Sequence, residues 1–230
     1  MPALARLILL LGLLVVTPFV AKADDGYYPI KADDGSTIAN HRVPVELESR
    51  IEKLPGVVVV GNPKGVVTLN EFYDLNCPYC RKASDDIDAL LKSHPELRLV
   101  MVPFPVLGIP SIQASRVELA VAKTVSPEKF YEFVRTVYSR RGMIDGNRAF
   151  AVAKSMGLDV AKLLKIANED SLADTMIAHV RLGDALEIAA TPGFVIKGVA
   201  IVGYPGAGAL ARIIESVERC DAVICGGTPR

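Results

Sequence analysis

Val66-Val67-Thr68-Leu69-Asn70-Glu71-Phe72-Tyr73 runs through Asp74-Leu75-Asn76 into Cys77-Pro78-Tyr79-Cys80, and the reading of this passage sets the architecture. The β-branched and aromatic residues of 66–73 predict a strand. From Pro78 the period becomes helical: Ala83, Ile87, Leu90 and Leu91 form an apolar stripe, with Arg81, Lys82, Asp85, Asp86 and Asp88 on the other side, until Pro95 forbids continuation. Residues 97–102 are a further strand, so strand, helix and strand make a βαβ unit with a parallel pair.

Upstream, 56–60 is a β-branched run and Gly61-Asn62-Pro63-Lys64-Gly65 is turn chemistry, which predicts a hairpin between 56–60 and 66–73. Val45, Leu47, Ile51 and Leu54 fall at helical spacing and mark an N-terminal helical arm over 24–55. Residues 1–23 read as a cleaved secretory signal: Arg6, an apolar run over 7–16, Pro18, then Ala21-Lys22-Ala23 as the cleavage site. The apolar run is short of the roughly 20 residues a membrane span needs. Downstream, 111–188 is helical by pattern, with Ser126-Pro127-Glu128 as a cap and Phe130, Phe133, Val134 and Val137 as an apolar face. Residues 194–196 and 200–202 form a hairpin around Lys197-Gly198, and 207–219 is a closing amphipathic helix.

The predicted fold class is therefore α/β, in six parts: signal 1–23, arm 24–55, first part of the sheet domain 56–110, helical insertion 111–182, second part of the sheet domain 183–219, and a cysteine-bearing tail 220–230. The 230 residues are 50% apolar and carry 26 basic and 26 acidic side chains, which excludes a disordered or fibrous chain. Without a basic excess or Lys/Arg cluster, nucleic acid is not an expected partner. Removing 1–23 takes away Arg6 and Lys22 and no acid, leaving 24 basic against 26 acidic groups. Export implies a periplasmic location, where cysteines form disulfides and thiol chemistry is enzymatically managed.

Cys77 and Cys80, at i and i+3 in the first turn of a helix, have neighbouring Cβ atoms and can open and close a disulfide. The first cysteine meets unpaired N–H groups and the positive end of the helix dipole, so its pKa is expected to fall from about 8.5 to between roughly 3.5 and 7. Cys77 is the predicted, accessible nucleophile. Cys80 shares the stripe of Ala83, Ile87 and Leu91, and is the predicted buried resolving thiol. Pro78 and Tyr79 between them tune the potential. Three other readings exist: a structural disulfide, a zinc site for which the ligands are too few, and Cu(I) capture by the two thiolates.

Thr191-Pro192 stands before the strand at 194–196, and reads either as a cis bend that offers the Thr191 backbone to a polypeptide or as an ordinary trans start. Glu71 reads as solvent-facing by alternation, or as a buried acid relaying the proton of Cys80. Cys220 and Cys225 would point about 140° apart on a continuous helix, so a structural disulfide between them requires the helix to end there. An accessory redox pair is the alternative. His41, His94 and His179 share no spacing and read as surface or packing residues.

Taken in order, Gly61-Asn62-Pro63-Lys64-Gly65, the passage from Glu71 to Lys82, Val102-Pro103-Phe104-Pro105-Val106-Leu107-Gly108 and Thr191-Pro192-Gly193-Phe194-Val195-Ile196 resemble the DsbA-like thioredoxin-fold thiol:disulfide oxidoreductases. The resemblance covers about 56–219 and implies a thioredoxin fold interrupted by a helical insertion. It further implies Cys77 as attacking thiolate, Cys80 as resolving thiol, Thr191-Pro192 as a cis-proline loop and Glu71 as a buried acid, with no cofactor and no metal. Glu187, Ala190 and Gly193 depart from the residues common in the family, which bears on loop shape and substrate preference. Thr191 and the N-terminal arm are similar to oligomeric relatives of the suppressor-of-copper-sensitivity type, so a homo-oligomer through the arm is an expectation. Tyrosine in place of histidine at position 79 implies an enzyme less oxidising than the strongest oxidants.

The expected function is exchange of disulfides with exported polypeptides, with net oxidation preferred and a membrane partner recycling the cysteines. The alternatives are an isomerase or reductase of the oligomeric type, and a periplasmic Cu(I)-binding protein.

Overall fold

The computed structural model describes residues 28–226, so the expected signal peptide, the start of the arm and the last four residues lie outside the described part. Its centre is the predicted βαβ unit. Strand β3 (Val67–Tyr73) leads into helix α2 (Pro78–Ser93), which returns the chain to strand β4 (Leu97–Pro103). β3 and β4 pair in parallel from Val67↔Leu97 to Tyr73↔Pro103. Both strands are almost continuously buried because helices cover both sheet faces.

Strand β2 (Val58–Gly61) corrects the expected hairpin: it pairs antiparallel with β4, from Val58↔Met101 to Gly61↔Arg98, and not with β3. The turn carries the chain around the start of β4 instead of doubling it back. Asn62 N–H bonds Leu97 O at 3.0 Å and Val67 N–H bonds Glu96 O at 3.1 Å, so β4 lies between the two strands. Gly65 makes this passage possible, since a Cβ there would come within 2.3 Å of Glu96 O.

On the other side of β3, strands β5 (Gly193–Ile196) and β6 (Val199–Val202) form the predicted hairpin. β1 (Asn40–Arg42), a three-residue strand not anticipated from sequence, adds to β6. Its polar residues show no apolar alternation. Strand β1 is held by that pairing and by Asn40, whose side chain bonds Tyr28 N–H, Tyr28 O and Ile38 O. The sheet order is β1-β6-β5-β3-β4-β2.

Helices α3 (Ile109–Ala122), α4 (Pro127–Tyr138), α5 (Gly146–Ser155), α6 (Val160–Ala167) and α7 (Asp170–Ala185) fill the stretch between β4 and β5. Ser126, Asp145 and Asp159 cap α4, α5 and α6 through bonds to N–H groups three residues on. Helix α8 (Ala207–Cys220) closes the fold.

One core joins α2, α8 and the helical layer to Val67, Leu69 and Tyr73. A smaller core on the opposite sheet face joins Ile51 of α1 (Val45–Ile51) and Leu182 of α7 to Phe72, Val100 and Val195. The described part of the arm therefore packs on its own domain. His179, fully buried on α7, places its ring nitrogens 2.7 Å from Pro103 O at the end of β4 and 2.7 Å from Pro55 O at the end of the arm.

Candidate active site

Cys77 is the N-cap of α2, and its Sγ accepts the Cys80 N–H at 3.3 Å, with Pro78 filling the first helical position where no N–H is needed. Its pKa is lowered to about 6. The Cys80 thiol, donating to Cys77 Sγ, contributes most; burial opposes it; Thr191 and the N–H groups of Cys80 and Tyr79 add to the lowering. In the protonated form Cys77 instead donates to Thr191 O at 3.1 Å.

Cys77 is not the open thiol expected from sequence. It is 3% exposed, because the Thr191-Pro192 loop closes over it and Thr191 O sits against the sulfur. Tyr79, next in the turn, is 64% exposed. Cys80 is fully buried, and burial first, then its bond to Cys77 and the charges of Cys77 and Glu71, push its pKa far up. Both cysteines are free thiols.

The Thr191-Pro192 bond is cis. Gly193 follows, and a Cβ there would meet Ile188 Cγ2 at 2.3 Å, which explains a glycine at this position. Glu71 is 5% exposed, so solvent-facing alternation gives way to the buried reading. It has the parity of Val67, Leu69 and Tyr73, the β3 residues that pack in the same core as Cys80. Burial, then the charge on Cys77, raise its pKa to about 8. It stays protonated at neutral pH.

Sequence reasoning passed over the residues that frame the nucleophile. Asp74 is buried, and its carboxylate accepts from the N–H groups of Asn76, Val106 and Leu107 at 2.8, 2.9 and 2.9 Å and from Ser111 Oγ at 2.7 Å. Asn76 exchanges bonds with Ile144, N–H to Oδ1 at 2.7 Å and Nδ2 to O at 2.8 Å, and reaches Ser111 Oγ at 3.1 Å. These two side chains fasten the segment before Cys77 to the loop after β4 and to the start of the helical layer. That brings the exposed apolar side chains Val106, Leu107, Ile109, Ile112 and Met143 around one end of the site. Their hint in the sequence was Asp and Asn just ahead of the helix, residues that bond nearby backbone.

A third buried carboxyl, Glu118, accepts from Tyr73 Oη at 2.5 Å and Ser115 Oγ at 3.1 Å, and burial raises its pKa to about 8. Ala114, Val117 and Val121 share its helical face, so its place on an apolar stripe was the available signal.

Cys220 and Cys225 are joined by a disulfide. Helix α8 ends at Cys220 and Asp221 turns into the left-handed region (φ 57°), which swings Cys225 back.

A thioredoxin family model matches residues 53–216, and the chain belongs to that family. Solved structures that resemble this one include thioredoxin-like and thiol-disulfide proteins, DsbA and ScsC proteins among them. A thioredoxin-like oxidoreductase from Silicibacter pomeroyi is 28% identical over 75% of this chain and 96% of that one, with a TM-score of 0.68. The catalytic domain of Proteus mirabilis ScsC is 24% identical over 74% and 95%, with a TM-score of 0.65. The thiol-disulfide exchange protein alpha-DsbA2 of Wolbachia pipientis is 20% identical over 75% and 94%, with a TM-score of 0.67. At the identities of the last two the likeness is one of fold. No curated protein matches the chain.

Proposed function

We propose that the protein is an exported thiol:disulfide oxidoreductase that oxidises polypeptide thiols in the periplasm. The observation that carries this reading is the asymmetry of the pair. Cys77 has its pKa lowered to about 6 by donors at a helix terminus, while Cys80 lies buried against a protonated Glu71.

In the oxidised enzyme a substrate thiolate attacks Cys77 Sγ and breaks the Cys77–Cys80 bond. Cys80 leaves and takes a proton, for which Glu71 is the neighbouring acid. A second substrate thiolate then attacks the substrate sulfur of the mixed disulfide, and Cys77 leaves as the stabilised thiolate. The substrate has lost two electrons and the enzyme holds them as two thiols, for a membrane partner to remove. Stabilising the Cys77 anion stabilises the reduced enzyme and so drives the reaction in this direction. Because Cys77 is covered by the 191–192 loop, the substrate sulfur arrives along that loop. The apolar side chains at 106, 107, 109, 112 and 143 favour unfolded segments that expose hydrophobic residues near their cysteines.

The test is the Cys80→Ser variant, which has no resolving thiol. Expressed with its own leader, it should accumulate mixed disulfides with periplasmic polypeptides, lost when Cys77 is also replaced. A chain that traps nothing is not an exchange enzyme. Glutathione titration of the pair decides direction: a potential below that of the compartment would make the protein a reductase or isomerase.

A further inference from the structure

The second disulfide lies in surroundings unlike those of a buried staple. Cys220 is exposed, Cys225 is half-buried, and a cavity of about 470 Å³ opens beside Cys225. Arg219 Nε donates to Cys225 Sγ at 3.3 Å, and Ser216 Oγ lies 3.3 Å from the same sulfur and 3.7 Å from Cys220 Sγ. Lys31, Arg212 and Arg219 line the cavity against a single carboxylate there, Glu215; Asp33 is held nearby by Arg212 at 3.4 Å.

We propose that Cys220–Cys225 is a second thiol–disulfide exchange centre, separate from Cys77, that reacts with small thiols bearing carboxylates. The two sulfurs are unequal. Cys220 is the more exposed residue of the two and so the side from which a thiolate attacks, and Cys225 is the better leaving group because a guanidinium and a hydroxyl lie against its sulfur. An incoming thiolate bonds to Cys220 Sγ as the Cys220–Cys225 bond breaks, and Cys225 leaves with the electron pair as a thiolate beside Arg219. A second molecule of the small thiol attacks the mixed disulfide at its own sulfur, releasing Cys220 as thiolate. Two small thiols are thereby oxidised to their disulfide and the protein gains two electrons. Arg219 is needed because α8 ends here: carbonyl oxygens and the negative end of the helix dipole otherwise disfavour an anion at this place. Lys31 and Arg212 line the cavity on the Cys225 side, where a long, flexible thiol such as glutathione places its carboxylates while its sulfur is at Cys220.

The experiment uses the full chain with Cys77→Ser and Cys80→Ser, so that only the second pair reacts, with reduced glutathione as the anionic thiol and cysteamine as a cationic one. Acid-quenched samples are read by intact mass. The expected result is a transient glutathione adduct mapped to Cys220, followed by the dithiol, forming about tenfold faster than with cysteamine after correction for each thiol's own thiolate fraction. Arg219→Ala should slow glutathione by about tenfold, and Arg219→Lys should restore most of the rate. A pair that stays closed under excess glutathione at neutral pH overturns the proposal. So does equal reactivity toward both thiols with no effect of Arg219→Ala, or an adduct on Cys225. None of these outcomes touches the reading of Cys77.

Discussion

The molecule carries two cysteine pairs at opposite kinds of helix end. Cys77 and Cys80 straddle the N-terminus of α2, where N–H groups converge on a sulfur and the pair is dithiol. Cys220 and Cys225 straddle the C-terminus of α8, where carbonyls face outward and the pair is bonded. The difference teaches that the helix end a cysteine pair occupies bears on its chemistry as well as the spacing, which is three residues in one pair and five in the other. At an N-terminus the backbone N–H groups add to what the Cys80 thiol does for the thiolate, and at a C-terminus a side chain such as Arg219 has to act against the backbone.

Replacing Cys77 with serine tests the contrast most severely: oxidation of a dithiol peptide should fall by about a thousandfold or more, and an enzyme that keeps its rate through Cys220 and Cys225 would break the comparison. Next comes the frame. Asp74→Ala leaves three part-buried N–H groups and a buried hydroxyl without their acceptor and should cost about 2–3 kcal/mol in urea unfolding.

Glu71→Gln keeps the shape and removes the proton donor. Release of Cys80 during reduction should slow by about a hundredfold at pH 7, with the difference closing above about 8, where the wild-type acid is itself ionised. A milder readout is the thiolate absorbance of Cys77, which should titrate near pH 6. Because this pKa is depressed on folding, the stability it lends the reduced protein is present above the thiol's ordinary pKa and is lost as pH falls through 6. A midpoint near 8.5 would erase the asymmetry between the pairs. Smallest of all, Cys220→Ser with Cys225→Ser should lower stability by about 2 kcal/mol at most, since the closed loop is short, and should leave peptide oxidation by Cys77 unchanged.

The chemistry was more legible in the sequence than its enclosure. The Cys77–Cys80 turn and the strand–helix–strand unit are local patterns, and local patterns survive in one dimension; the residues at Thr191-Pro192 left cis and trans open, and only the family resemblance pointed to the cis bend. The path of β2 did not, because a turn that rounds a strand and a turn that reverses have similar residues. The side of Glu71 was ambiguous for a related reason: on a strand covered on both faces, alternation carries no contrast between inside and outside. Asp74 and Asn76 acquire their roles only when Val106, Ser111 and Ile144 arrive from tens of residues away. The cover over Cys77 comes from Thr191, more than a hundred residues later.

His179 ties these distances together in one further respect. By reaching Pro55 with one nitrogen and Pro103 with the other, it makes the segment before β2 a brace for the strand end from which the substrate-facing loop departs. A shortened protein cut to begin at residue 56 would retain both active cysteines and yet lose the Pro55 carbonyl that sits against that ring, together with β1 and the buried Ile51. Its loop would fluctuate more, and loss of client selectivity in such a fragment would trace to support removed from the far side of the sheet and not to either sulfur.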